Sequence, residues 1–584
     1  MKVLLISLNA KYIHTNLAIR YLESYCRNRE DIDIEISEFT INDNLQSILG
    51  EIYKKRANIL AFSCYIWNIE ESMKIVRMIK KIQPGIKIVL GGPEVTFYGT
   101  RWMNRAKEID YIVKGEGEIS FYELLEEIKF GGENLHEIEG IIYRQQDKII
   151  ENKDRAPLKE LDSVPFPYPE DLSDYENKII YYESSRGCPF HCQYCLSSTT
   201  GGVSFFSLSR VKEELKTFIN AKVKQVKFVD RTFNCDKKRT KELLRYLIAQ
   251  GGDTNFHFEV AADLIDQEML DIFKEAPVGL FQLEIGIQST YAPTLEAIRR
   301  KNDLSKIEYV VNRIHSYKNI HQHLDLIAGL PYESYECFKK SFNDVYALKP
   351  DMLQLGFLKI LKGSGIEVDN EKYGYQYTPY PPYEVLLNDH ISYEEILKLK
   401  AIEDLVEKYS NAHIFDYTID YLIQHHYQSP FDFFEDFAIY WEEKDLYRQF
   451  HSQKYLYKIL LDYCKSIFGD FSIIHELLKF DYLLTHKGPL PEFFIENIIE
   501  NKKEKSFEFL KHGKNIEKYL PEYINNTPKE IYKNVHFELF DREILQLLKI
   551  KKGLLPTEEL ILMFHFPKEP REINQKSLYD WVNL

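Results

Sequence analysis

Three cysteines on one short run are the strongest chemical signal in the chain: Cys188, Cys192 and Cys195 in Ser185-Arg186-Gly187-Cys188-Pro189-Phe190-His191-Cys192-Gln193-Tyr194-Cys195. A C-x3-C-x2-C spacing puts three thiolates on one tight loop. There they can hold three irons of a cubane and leave the fourth iron open as a coordination site. Zinc is the competing metal, with His191 or a distant residue as fourth ligand, but structural zinc is usually held by paired C-x2-C knuckles and no second pair exists here. Of the 8 cysteines, the other five (Cys26, Cys64, Cys235, Cys337, Cys464) stand alone, which is no disulfide framework.

Acids recur where later β-branched runs end. Asp230 closes Phe228-Val229-Asp230-Arg231, Glu259 lies on the next run, and Glu284-Ile285-Gly286-Ile287-Gln288-Ser289 and Asp325-Leu326-Ile327-Ala328-Gly329-Leu330-Pro331 end two more. If those strands line one barrel, Asp230, Glu259, Glu284, Gln288 and Asp325 converge on one mouth, where carboxylates accept from an ammonium group and ribose hydroxyls. Taken singly, each acid is as well explained by a salt bridge or a helix cap.

The elements that must position these residues follow from periodicity. Lys2–Ser7, Asp33–Phe39, Ile59–Tyr65, Lys87–Leu90 and Tyr111–Val113 read as strands, with amphipathic helices such as Leu17–Tyr25 and Ile69–Ile82 between them. That alternation predicts an α/β, flavodoxin-like doubly wound domain over residues 1–150, with ligands on the loops after its strands. Pro157, Pro165, Pro167 and Pro169 mark a linker over 151–176. A second series (Ile179–Ser184, Gln225–Val229, Phe256–Val260, Leu280–Ile287, His323–Ala328, Met352–Leu358) predicts a partial (β/α)6 TIM-type barrel over 177–375. Residues 376–584 read as a mostly helical C-terminal domain, with a late hairpin from Val535–Phe540 and Leu560–Phe566.

The front loops read Asn9-Ala10-Lys11-Tyr12-Ile13-His14, Ser63-Cys64-Tyr65, Gly91-Gly92-Pro93-Glu94 and Gly115-Glu116-Gly117-Glu118, and their glycines allow close backbone approach of a large ligand. In this order ahead of the cysteine run, they resemble the cobalamin-binding domain of the cobalamin-dependent radical S-adenosylmethionine (SAM) enzymes. The cysteine spacing, with Tyr194 before the third Cys, resembles the radical SAM superfamily itself. The resemblance covers Met1 to about Gly363, and the helical tail resembles an uncharacterised extension of one subgroup.

It implies a [4Fe-4S] cluster on the three cysteines and SAM chelated at the open iron. The reduced cluster would cleave SAM to methionine and a 5′-deoxyadenosyl radical. SAM contacts fall on Tyr194, Asp230, Glu259, Glu284, Gln288 and Asp325. Cobalamin contacts fall on Asn9, Tyr12, His14, Ser63, Gly91, Gly92, Pro93, Glu94, Gly115 and Glu116. The Gly-Gly-Glu that often grips the methionine amino group is replaced by Asp230-Arg231. The D-x-H-x-x-G string of cobalamin mutases is broken at Tyr12 and Leu17, so cobalt ligation by His14 is not expected.

The function expected is radical methyl transfer to an unactivated carbon of a small-molecule or peptide substrate, fed by an electron donor such as flavodoxin or ferredoxin. Radical cyclisation without methylation, as in the anaerobic magnesium-protoporphyrin ester cyclase relatives, is the alternative among enzymes. A cobalamin or redox sensor is the alternative outside them. A methylthiotransferase is disfavoured, because Cys26 and Cys64 are too few to hold its additional cluster. Composition agrees with a soluble protein: 44% hydrophobic and 28% charged residues, and a net charge of −15 that disfavours nucleic acid as main partner. No run approaches membrane-spanning length, so a cytoplasmic location with no membrane partner is expected. Lys502-Lys503-Glu504-Lys505 reads as a solvated helix face, and His413, His425 and His426 show no metal-ligand pattern.

Overall fold

The computed structural model describes residues 1–27, 31–199, 201–494, 499–540, 544, 547–548, 560–565 and 578–582. The chain divides into two compact units, Met1–Phe338 with Gly356–Tyr393, and Lys339–Leu355 with Glu394–Leu584.

The first unit opens on a seven-stranded sheet of β1 (Lys2–Asn9), β2 (Asp33–Thr40), β3 (Ile59–Ser63), β4 (Lys87–Gly91), β5 (Tyr111–Val113), β6 (Ile141–Gln145) and β7 (Lys148–Glu151). Its order is β2-β1-β3-β4-β5-β6-β7. The first five strands run parallel, and this is the doubly wound order that the alternation predicts. β1 is a near-continuous apolar run because helices cover both faces of a central parallel strand. Leu4, Ile6 and Leu8 enter one core layer while Val3 and Leu5 enter the other. Asn16 caps helix Leu17–Cys26 by accepting from the Ile19 amide, and Asn44 likewise starts Leu45–Lys54. The hairpin of β6 and β7 extends the sheet antiparallel from β5.

The second sheet is β8 (Ile179–Tyr182), β11 (Gln225–Phe228), β12 (Asn255–Glu259), β13 (Phe281–Gln288), β14 (His321–Ala328) and β15 (Met352–Phe357), in sequence order from edge to edge. It is the open six-stranded half-barrel expected. A two-stranded ribbon, β9 (Ser185–Cys188) against β10 (Gly202–Phe205), stands outside it. After β15 the chain stays with the first unit to Tyr393. There Leu358, Ile360, Ile366, Tyr373, Tyr375 and Val385 form one cluster with Leu295, Ile298 and Leu330. The second unit therefore takes up at Glu394, later than the position at 376 read from the prolines, and it also holds 339–355.

That second unit is mostly helical, with helices at Asp416–His426, Pro430–Glu443, Gln453–Ile467 and Ser472–Thr485. The late hairpin is present as Val535–Phe540 against Leu560–His565, joined by an unforeseen third strand, Leu578–Val582; Phe566 lies outside the described residues. His413 sits 2.6 Å from the Asp351 carbonyl oxygen and 3.3 Å from Asp416. Among the described residues no helix is long and apolar enough to cross a membrane.

One glycine fixes how the front loops meet. Gly92 has φ +110°, and a Cβ there would stand 2.5 Å from the Cys64 carbonyl oxygen. Its close approach is to the β3 loop, a backbone contact within the protein itself. Gly92→Ala should therefore destabilise the cofactor-free protein by about 1–3 kcal/mol, read as a lower denaturation midpoint before any ligand is added.

Candidate cofactor site

Built upward from the chain, the cysteine loop is anchored at its start, middle and flank. Asp230, at the end of β11, is 1% exposed. It accepts from the Ser184 amide and the Ser184 hydroxyl, both at 2.8 Å, and from the Ser185 hydroxyl. Burial raises its pKa and these donors oppose the rise. Gly187 carries φ +96° where its Cα passes the Gly202 carbonyl, so the residue before the first cysteine needs the freedom of glycine. In the middle, the Gln193 amide donates to the Ile298 carbonyl and the Gln193 carbonyl accepts from the Ile366 amide, each at 2.9 Å.

Polar groups also reach the sulfurs. Thr232 Oγ1 lies 3.7 Å from Cys188 Sγ, and Arg300 Nη1 lies 3.8 Å from Cys192 Sγ and 3.1 Å from the Tyr194 hydroxyl. None of the three cysteines is in a disulfide. Among the described residues no three His, Cys, Asp or Glu side chains surround a single-ion site. A cubane takes one thiolate per iron and does not ask for one. Three thiols on one anchored loop, with the Arg300 guanidinium beside one and the Thr232 hydroxyl beside another, fit such a cluster.

The strand-end acids divide by environment. Register places Glu259 beside Glu284 and Asp325 beside Gly286, so three carboxylates share one face of three adjacent strands. Glu284 is already engaged, 2.9 Å from both Lys227 Nζ and His257 Nε2. Burial alone would raise its pKa, but His257 and Lys227 outweigh burial and hold the carboxyl at about 2. Glu259 is pushed up to about 7 by burial, with Arg231 opposing. Asp325 rises to about 8 through burial and the charges of Glu284 and Glu259. Its Oδ1 is buried without a hydrogen-bond partner, the state of an acceptor waiting for a ligand donor. Gln288 sits at φ +70° just past a register shift at Gly286 and is 8% exposed. Asp230, expected among the SAM contacts, is turned to the cysteine loop and serves as its anchor.

The front loops share the edge at the ends of β1, β3, β4 and β5, but their side chains do different work. Asn9 and Ser63 are buried in a polar knot: Asn9 accepts from Ser7 at 2.7 Å and donates to the His14 carbonyl at 2.9 Å, while Ser63 accepts from Asn16 at 3.2 Å. Tyr12 is 72% exposed. His14 Nδ1 stands 2.8 Å from the Tyr181 hydroxyl on β8, and burial lowers its pKa. Gly91 ends β4 and its carbonyl accepts from the Cys64 amide at 2.7 Å. Pro93 opens the short helix Pro93–Thr96. Glu94 is 3% exposed, accepts from the Tyr383 hydroxyl, and is pushed up to about 7 by burial. The Gly115 amide donates to Thr96, and Glu116 accepts from the Leu158 amide at 2.7 Å. Exposed Tyr12, Ile13, Trp67, Phe97 and Tyr98 give this edge the apolar surface a large macrocycle needs, with Trp67 stacked on Tyr65 at 4.3 Å.

Sequence reading passed over Arg186, Lys227, His257, Arg300, Trp67 and Tyr383. Lys227 and His257 carried a findable signal, since they occupy the alternate positions of strands whose other face is apolar. The contacts of Arg186 with Glu118, of Arg300 with Cys192 and of Tyr383 with Glu94 join residues distant in sequence and leave none.

The raised Asp325 carboxyl gives a signed prediction. A group with an elevated folded pKa adds stability that is complete below its unfolded value near 4 and is lost as pH rises through about 8. Asp325→Asn should therefore raise the melting temperature of the ligand-free protein at pH 8–9 relative to wild type, with the gap closing toward pH 4–5. It should also weaken a cationic ligand about tenfold or more at pH 8 by removing a charge-assisted acceptor.

Comparison with known proteins agrees with this geometry. The B12 binding domain family matches residues 3–125, the Radical SAM superfamily residues 182–345, and a protein family of unknown function, DUF4080, residues 371–564. The 2-(S-pantetheinyl)-carbapenam-3-carboxylate methyltransferase of Streptantibioticus cattleyicolor is 28% identical over 298 residues, 48% of this chain and 44% of that one. The cobalamin-dependent radical SAM methyltransferase TokK of Streptomyces tokunonensis is 27% identical over 343 residues, 55% of this chain and 50% of its own. The chain thus spans about half the length of these curated relatives. The structure of the cobalamin-dependent S-adenosylmethionine radical enzyme OxsB with aqua-cobalamin bound aligns over 94% of this chain and 83% of that one with a TM-score of 0.55, and at 14% identity it shows a shared fold. In chain order, a match to the B12 binding domain, one to the Radical SAM superfamily and one to DUF4080 give this chain a domain arrangement similar to that of the cobalamin-dependent radical S-adenosylmethionine enzymes.

Proposed function

We propose that this chain is a methyltransferase that acts on an unactivated carbon of a small-molecule or peptide substrate, with cobalamin on the front-domain edge and SAM at a [4Fe-4S] cluster in the half-barrel. The observation that carries this reading is the meeting of the two edges within one compact unit. The loop after β5 touches the cysteine loop through Glu118 and Arg186, and the loop after β1 touches β8 through His14 and Tyr181. When bound, the cluster supplies the electron that cleaves SAM, and cobalamin supplies the methyl carrier.

The residues have separable tasks in this reading. Cys188, Cys192 and Cys195 hold the iron, and Asp230 and Arg300 keep their loop in place. Asp325 and Glu259 receive the cationic ligand, because neither carboxylate has a hydrogen-bonding cation of its own in the way Glu284 has Lys227. Glu284, locked by Lys227 and His257, forms a fixed polar floor below them. Electrons come from an external donor of the flavodoxin or ferredoxin kind.

Protein purified without oxygen should carry about four irons and four sulfides, and replacing the three cysteines with Ala should abolish both the metal and 5′-deoxyadenosine formation. Zinc at full occupancy in iron-replete anaerobic protein would overturn the reading. With His14 engaged by Tyr181, His14→Ala should leave the nitrogen hyperfine pattern of bound cob(II)alamin unchanged. Loss of a nitrogen splitting in that variant would make His14 the cobalt ligand instead.

A further inference from the structure

Arg186 lies two residues before Cys188, yet its guanidinium faces the front domain. Nη2 is 2.5 Å from Glu118 Oε1, the first residue of helix Glu118–Lys129. The same group pairs with Glu183 at 2.7 Å, and Nε donates to Glu183 at 2.8 Å. Nη1 stands 3.6 Å from Glu116, and the guanidinium carbon lies 5.3 Å from the centre of the Tyr21 ring. The side chains of Arg186, Glu118 and Glu183 are 13%, 5% and 13% exposed. Three carboxylates and an aromatic face, from the segment after β5, the end of β8 and helix Leu17–Cys26, thus converge on one planar cation. Glu116 serves both sides, since it also accepts from the Leu158 amide in the linker.

An ion pair this buried is costly to form and is best explained by the geometry it fixes. Glu118 is three residues from Gly115 on the expected cobalamin edge, and Arg186 is two from the first cysteine. The chain between each end of the pair and its cofactor loop is too short to absorb a large displacement. We propose that Arg186 is a positioning residue that sets the distance from cobalt to the cluster by locking the β5 loop onto the cysteine loop through Glu118. The inference rests on the two-cofactor reading and deepens it. A shared substrate requires both cofactors at a fixed spacing, and this pair is the shortest polar link described between the two loops.

The test uses the full chain loaded with cobalamin and cluster and poised so that cob(II)alamin and the reduced cluster are both paramagnetic. Pulsed electron paramagnetic resonance then reads the dipolar coupling between them without turnover. Wild type should give one narrow distance distribution. Glu118→Gln, which leaves the cysteine loop untouched, should broaden it while iron and cobalamin contents stay at wild-type levels. Arg186→Gln should broaden it equally, the double variant should be no broader, and Arg186→Lys should fail to restore it, because one ammonium cannot fork to Glu118 and Glu183 together. A distribution as narrow as wild type in Glu118→Gln overturns the proposal, even if Arg186→Gln loses iron for lack of a folded loop. Wild-type protein that binds no cobalamin would overturn the functional reading itself, and this inference with it.

Discussion

A buried carboxylate with three donors and no solvent is the constraint from which the site follows. Asp230 cannot be ionised at 1% exposure unless its oxygens are satisfied, and among the described residues the groups that donate to them belong to Ser184 and Ser185. The end of β11 is thereby tied to the first residues beyond β8, and the chain must leave that point through Gly187 into Cys188. Thr232, two residues past Asp230, then falls beside the Cys188 sulfur, and Arg239 reinforces the knot by donating to the Ser184 carbonyl at 3.2 Å. Strand register holds Ser185–Cys188 against β10 but does not tie that ribbon to the six-stranded sheet. The carboxylate supplies that tie before any iron is present.

The same logic sorts the acids of the half-barrel. Glu284 is matched by Lys227 and His257, and its charge is permanent; Gln282 and His323 continue the polar layer at 2.9 Å from each other. Above that layer burial, and after it the charge of Glu284, raises the carboxyls of Glu259 and Asp325 in pKa. A row of acids on neighbouring strands thus divides in two, one carboxylate paired with Lys227 and His257 and two raised in pKa by burial.

Much of this was legible in the sequence, and the reason is local. β1 reads correctly because its apolar run is continuous, β11 to β14 read correctly because their inward positions alternate with Val226, Phe258, Leu283 and Leu324, and the cysteine spacing is itself a chemical statement. The β6–β7 hairpin went unread because its strands are short and Gln146 supplies the turn without the glycine that usually marks one. The contacts of Asp230 with the cysteine loop, the close approach of Gly92 to Cys64, and the return of 356–393 to the first unit all depend on contacts between residues far apart in sequence. Ser184 and Asp230 are 46 positions apart, and Glu94 and Tyr383 are 289 apart. No periodicity encodes such pairs.

The most direct test of the account supplies the loaded protein with SAM deuterated at its methyl group and with extract of the producing organism, under reducing anaerobic conditions. Mass spectrometry then follows the label. The account predicts a product bearing the intact deuterated methyl group together with 5′-deoxyadenosine, both lost in the variant lacking Cys188, Cys192 and Cys195. Formation of 5′-deoxyadenosine with a changed product that carries no label would contradict methyl transfer and leave a radical rearrangement in its place.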